Sequence, residues 1–219
     1  MVAGFKLSAD QIASAIGRHP WDLCNDTLYE LCRKNPSHRT DEEITAKITI
    51  IGRVYAASLE RRKETESERG DAFVSNTVVP TIRDSKIDDW FNELAREQIN
   101  VKRSKVERLS LALKIHANLV ELFGRIAKQQ KRSLASKYLH FHFPDAFYIF
   151  DSRAIGAVKG CLDKQLRVTE DDKEYDQQYS KFVRGCEELN RKIETVLGRR
   201  LSPRELDKVL LKLSADASR

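Results

Sequence analysis

Two side chains in one short stretch have the types and setting for covalent chemistry. The stretch runs Ser133-Leu-Ala-Ser-Lys137-Tyr-Leu-His-Phe-His-Phe-Pro-Asp-Ala-Phe-Tyr-Ile-Phe-Asp151-Ser-Arg-Ala154. It reads as a helix, a Pro-bounded turn, a short apolar extended piece and an Asp at a helix N-cap. Lys137 lies on an aromatic-rich helix, where partial removal from water lowers an amine's pKa and frees it for nucleophilic attack. Asp151 opens the next helix. A carboxylate is favoured there by the helix dipole and can take a proton or balance a developing cation. The same residues also read more simply, Asp151 as a helix cap and Lys137 as a half-exposed lysine.

Charge concentrates just upstream. Between Glu121 and Asp145 there is no acidic residue, while Arg125, Lys128, Lys131, Arg132 and Lys137 fall in the gap. A basic segment at a helix–turn–helix junction is either a phosphate-binding surface or a solvated helix face. On the first reading the nucleic-acid contacts are Arg125, Lys128, Lys131, Arg132, Ser133, His140 and His142. Smaller clusters at Arg61-Arg62-Lys63, Lys102-Arg103-Ser104-Lys105 and Arg199-Arg200 read as surface charge. His140-x-His142 is the only metal-like spacing, and on a helix those side chains point about 200° apart, so no metal site is expected. Cys24, Cys32, Cys161 and Cys186 form no C-x-x-C pair and read as free thiols.

The elements that must position these groups are helical. Ser8 caps a helix ending near Gly17, and Pro20 opens another that runs to Lys34. Thr40-Asp41-Glu42-Glu43 is a capping box before Ile44, Ile48 and Ile51, and that helix is expected to continue through Leu59 into Arg61-Arg62-Lys63. Residues 64–83 lack helical periodicity, so Phe73-Val74 and Thr77-Val78-Val79 fit a short strand or a buried loop. Asp84 or Ser85 caps a helix bearing Ile87, Trp90, Phe91 and Leu94. From Ser104 to about Gln130 two apolar stripes share one helix: Leu111, Ile115, Leu119, Leu122 and Ile126 in the first; Val106, Leu109, Leu113, Val120 and Phe123 in the second. Two stripes mark a central helix. Acidic residues 170–176 read as a solvated helix start, before a long helix to Leu197 and a last one from Ser202-Pro203.

With 219 residues, 39 Lys+Arg against 33 Asp+Glu and a net charge of +6, the chain is long enough for one sizeable core. Nine Gly and five Pro favour helices over a barrel or sandwich. The expected class is all-α with roughly 8–10 helices, residues 1–219 forming one domain. No run of apolar residues is long enough to span a membrane, and Met1-Val2-Ala3-Gly4-Phe5-Lys6 lacks a secretory pattern, so a cytoplasmic location is expected.

The 133–154 stretch resembles the helix-hairpin-helix DNA glycosylase superfamily, particularly bacterial proteins similar to 8-oxoguanine DNA glycosylase. Those proteins pair a helix-borne Lys with an Asp that follows an apolar (I/L)-(L/V)-D piece, to which Ile149-Phe150-Asp151 is similar. Ser136-Lys137-Tyr138-Leu139 is likewise similar to an (S/T)-K-(F/Y)-L pattern in bacterial members. The likeness covers residues 111 to 154.

Two departures stand out. The family's hairpin carries a Gly-x-Gly for close approach of a phosphate, where this chain has Lys128-Gln129-Gln130-Lys131-Arg132. The family's Lys also falls one turn earlier, near Ser133, which shares a helix face with Lys137. The resemblance implies a two-lobed helical domain with residues 104–162 forming the hairpin and active-site region. It implies an N-glycosylase, with or without lyase activity at abasic sites, whose partner is duplex DNA and which acts on a modified purine such as 8-oxoguanine flipped out of the duplex into a helical cleft. Lys137 is then the nucleophile and Asp151 its partner, both in a cleft beneath the 128–132 turn, and no cofactor is needed. Two other readings stand beside it. One is a nucleic-acid-binding module without chemistry, and the other an interaction subunit of a bacterial defence or modification system.

Overall fold

The computed structural model describes residues 8–60, 70–99, 104–162 and 171–216, which contain helices and no strand. In chain order these are α1 (Ala9–Ile16), α2 (Asp22–Lys34), α3 (Asp41–Val54), α4 (Gly70–Phe73), a π turn (Val74–Val78), α5 (Val79–Arg83) and α6 (Ile87–Ile99). There follow α7 (Lys105–Ala127), α8 (Arg132–His142), α9 (Ser152–Cys161), a 3-10 turn (Asp171–Glu174), α10 (Gln177–Leu197) and α11 (Pro203–Asp216). The expected all-α class holds for the described residues. None of their helices is long and apolar enough to cross a membrane.

Side-chain caps set many of the boundaries. Ser8 with Gln11, Thr40 with Glu43 and Ser104 with Glu107 form reciprocal capping boxes, each giving two otherwise unpaired N–H groups a partner. Asp151 accepts from the Ala154 N–H at 3.0 Å and starts α9. Asp176 does the same for α10 through Tyr179.

One cluster of buried side chains runs from Ile12 to Leu213. Helix α7 crosses it with Leu111, Ile115, Leu119, Leu122 and Ile126 buried on one side, and Leu113, Val120 and Phe123 on another. Val106 departs from its expected stripe and is 72% exposed. Helix α8 packs against α2, α3 and α7, so its own face is buried from Leu134 to Phe141. Helix α11 packs against both α9 and α1.

Three local expectations are corrected. First, α3 stops at Val54 instead of continuing to Leu59. Ala56 takes a left-handed φ of 49°, and the Ala57 N–H returns to the Gly52 carbonyl at 2.7 Å. The doubling-back needs glycine, because a Cβ on Gly52 would lie 3.0 Å from the Ser58 Cα.

Second, residues 70–83 are helical, with the π turn in the middle. Inserting one residue into the repeat lets Phe73 and Val78, five apart, both be buried, which hides the 3.6-residue period. Third, the acidic run is not wholly solvated. Asp172 is buried and accepts from the Ser180 hydroxyl and from Arg184 Nη2 at 2.6 Å. Residues 61–63, 64–69, 102–103 and 170, on which other expectations fell, lie outside the described residues.

Lys128 ends α7 with φ 54°, a left-handed conformation that a Cβ disfavours. Lys128→Gly should therefore raise the unfolding free energy by about 1 kcal/mol, read from the denaturant midpoint. A lower midpoint would show that the lysine side chain does more for the turn than its backbone costs.

Candidate active site

The geometry of the site begins with α8, whose packing on three helices carries Lys137 inward. The Lys137 side chain is 4% exposed. Its Nζ donates to Ser133 Oγ at 2.9 Å, stands 3.7 Å from Asp151 Oδ2 and lies 5.3 Å above the centre of the Tyr55 ring. Burial pulls the amine's pKa below its usual range, opposed by the nearby Asp151 and Asp207 carboxylates. Asp151 reaches this position because it caps α9. One oxygen binds the Ala154 N–H, and the other turns toward the amine.

A cleft of about 620 Å³ opens over this pair. Its walls come from α1, α2, the end of α3, α8, the start of α9 and α11. The expected position beneath the 128–132 turn is corrected, since none of those residues lines it. Tyr55, held by its hydroxyl donating to Asn25 Oδ1, forms part of the floor. Asp207 lies buried at the back and accepts from Arg204 Nη1 at 2.6 Å. Burial pushes its carboxyl up to about 6; Arg204 opposes the rise and Asp151 adds to it. Asp22, outside the cleft lining, joins α2 to α11 through Lys208 at 2.8 Å and Arg204 at 3.5 Å.

The residues expected to touch nucleic acid separate into three groups. Arg125 and Lys128 are exposed, beside a shallow groove between α7 and the 3-10 turn. Lys131 donates to the Ser58 carbonyl at 3.2 Å, and Arg132 is locked onto Asp176, with Nε 2.7 Å from Oδ1. Their charges hold local structure, which is a correction for Arg132 in particular. Ser133 faces Lys137 instead of an outer surface.

His140 and His142 are corrected as well, because both are core groups. His140 donates from Nδ1 to the Phe147 carbonyl at 2.8 Å, so its Nε2 accepts from the Tyr29 hydroxyl at 2.6 Å. His142 donates from Nδ1 to the Tyr138 carbonyl, its ring packed by His38 and Phe91. His38, which the sequence did not single out, links Asp88 to the Tyr138 hydroxyl, each at 2.7 Å. Cys32, Cys161 and Cys186 are buried, Cys24 is exposed, and all four are free.

Sequence reasoning passed over Trp21, Arg153, Arg204 and Asp207, which line the cleft. Asp207 did carry a signal: it is a charge within the apolar stripe Pro203, Leu206, Leu210 and Leu213 of α11. Comparison with protein-family models, with curated proteins and with solved structures finds no match in any of the three.

Two outcomes follow from the burial of these groups. His38 and His140 are pushed down to about 4 by burial, and His116 to about 3. Between those values and 6.5 the unfolded chain binds more protons than the folded one. Stability is therefore complete above 6.5 and lost as pH falls through about 4. Denaturant midpoints measured across that range should fall steadily toward acid, and a flat profile would contradict the neutral buried imidazoles.

Lys137→Met should lower the melting temperature by several degrees. It leaves the Asp151 and Asp207 carboxylates without the amine's charge near them, and Asp207 is buried. An unchanged melting temperature would show that the ion pair adds nothing to the fold.

Proposed function

We propose that the chain is a DNA N-glycosylase acting on a modified purine such as 8-oxoguanine, with Lys137 as nucleophile and Asp151 as its proton acceptor. The observation that carries this reading is the buried Lys137 amine with a carboxylate 3.7 Å away in a cleft of about 620 Å³. A buried amine spends more of its time neutral, and only the neutral form attacks. In the proposed step the Lys137 nitrogen bonds to the sugar C1′, and the C1′–base bond breaks with its electron pair leaving on the base. Asp151 takes the proton that the amine must shed and balances the positive charge that builds on the sugar before the bond forms. Ring opening then gives a Schiff base, from which strand cleavage by elimination can follow. Ser133 Oγ holds the amine in line, consistent with a nucleophile set one turn further along α8.

The departures at the hairpin favour a second reading, a binding module without chemistry. No glycine stands there, and Arg132 is already paired with Asp176. Borohydride reduction separates the two, since it converts a Schiff base into a stable amine adduct. Wild type incubated with 8-oxoguanine oligonucleotides and borohydride should form a covalent adduct, and Lys137→Ala should form none. Asp151→Asn should fold, because Asn also caps helices, yet trap on the order of a hundredfold more slowly. Absence of an adduct from wild type across a panel of damaged bases would exclude the glycosylase reading and leave the binding module.

A further inference from the structure

The cleft mouth carries a feature that the chemistry at Lys137 does not use. Trp21 lines the cleft yet is 58% exposed, whereas Trp90, the chain's other tryptophan, is half-buried against the core. Its backbone is held firmly. Pro20 precedes it, the His19 N–H donates to Asp22 Oδ2 at 2.7 Å, and the Trp21 N–H donates to His19 Nδ1 at 3.3 Å. The Trp21 carbonyl accepts from both the backbone N–H and the side-chain amide of Asn25, at 3.1 and 2.9 Å. That same Asn25 accepts from Tyr55, the ring beneath Lys137. A rigid mount therefore joins an exposed indole to the floor of the site.

Cations line the same cleft. Arg153 is exposed and makes no hydrogen bond or ion pair among the described residues. Lys212 donates to a neutral group, Ser14 Oγ, at 2.9 Å and makes no ion pair among the described residues. An exposed aromatic face in the same cleft as these cations suits an unstacked nucleobase and its phosphates, because a base has a π-face to offer only when its neighbours do not cover it. The hairpin, by contrast, has less to offer a duplex, with Arg132 and Lys131 engaged internally.

We infer that the nucleic acid reaches this cleft as an unpaired strand, with one of its bases stacked on the Trp21 indole and its phosphates beside Arg153 and Lys212. This rests on the nucleic-acid reading above and names the form of its substrate.

Intrinsic tryptophan fluorescence tests it without requiring catalysis. Titrating wild type with single-stranded oligothymidylate should quench the emission saturably. Trp21→Phe should keep only the Trp90 emission and show no quenching, and Trp21→Ala should bind the strand roughly tenfold or more weakly by anisotropy of a labelled oligonucleotide. An abasic strand of equal length should bind with a similar salt slope but leave the emission unchanged. A fully paired duplex should bind more weakly than the single strand.

Binding without quenching, equal quenching by the abasic strand, a duplex that binds more tightly, or no binding at all would each overturn the inference. Covalent trapping with unmoved Trp21 emission would remove the stacking role and spare the glycosylase. Stacking without any adduct would do the reverse.

Discussion

A primary amine held out of water is the condition around which this part of the molecule is organised. Lys137 is tolerated in the interior because three groups replace its lost hydration: the Ser133 hydroxyl, the Asp151 carboxylate and the face of the Tyr55 ring. Each comes from a different place, one turn earlier on α8, the head of α9 and the end of α3. The arrangement exists only if α8 is fixed relative to both neighbours. That is the work of its buried imidazoles and phenols. His140 ties α8 to the Phe147 carbonyl and to α2 through Tyr29, while Tyr138 reaches through His38 to Asp88 on α6. With carbonyls and carboxylates fixing the donor nitrogens, the tautomers follow without ambiguity.

Asp151 has two tasks that reinforce each other. Capping α9 fixes one oxygen, and so aims the other at the amine. Asp207, Arg204 and Asp22 then place α11 and α2 around the same space, so the last helix of the chain completes a cleft whose chemistry lies near the middle. Two carboxylates close to one buried lysine differ in setting. Asp151 is partly open to solvent and bonded to a backbone amide, whereas Asp207 is closed in and its carboxyl is pushed up to about 6.

Much of this was legible in local patterns. The caps at Ser8, Thr40, Ser104 and Asp151 depend on residues three apart, and the two stripes of α7 need only the helical period. The juxtaposition of Lys137 and Asp151 was also readable, because a short Pro-bounded turn leaves little freedom between them. What failed required knowledge of distant partners. The acid-free segment looked like free charge, yet the acid that claims Arg132 stands 44 residues later at Asp176. The two histidines beside it looked available, but carbonyls at Phe147 and Tyr138 use them inside the core. Trp21 gave no periodic signal because a lone aromatic in a turn belongs to no stripe. The end of α3 depended on an approach between Gly52 and Ser58 that no spacing reports.

The π turn at Val74–Val78 bears on how this chain tolerates changes of length. Such a turn holds one residue more than the α-helical path needs, so it is a reserve of chain within a continuous helix. Deleting one residue there would let the segment close as ordinary α-helix. Phe73 and Val78, now five apart, would then stand four apart, which in an α-helix is one face. Phe73 and the Val78, Val79 and Ile82 cluster, now all buried together, would still share it. A one-residue deletion in this segment is therefore absorbed without turning the flanking helices about their axis, and sequences of different length here should be aligned by which face is apolar.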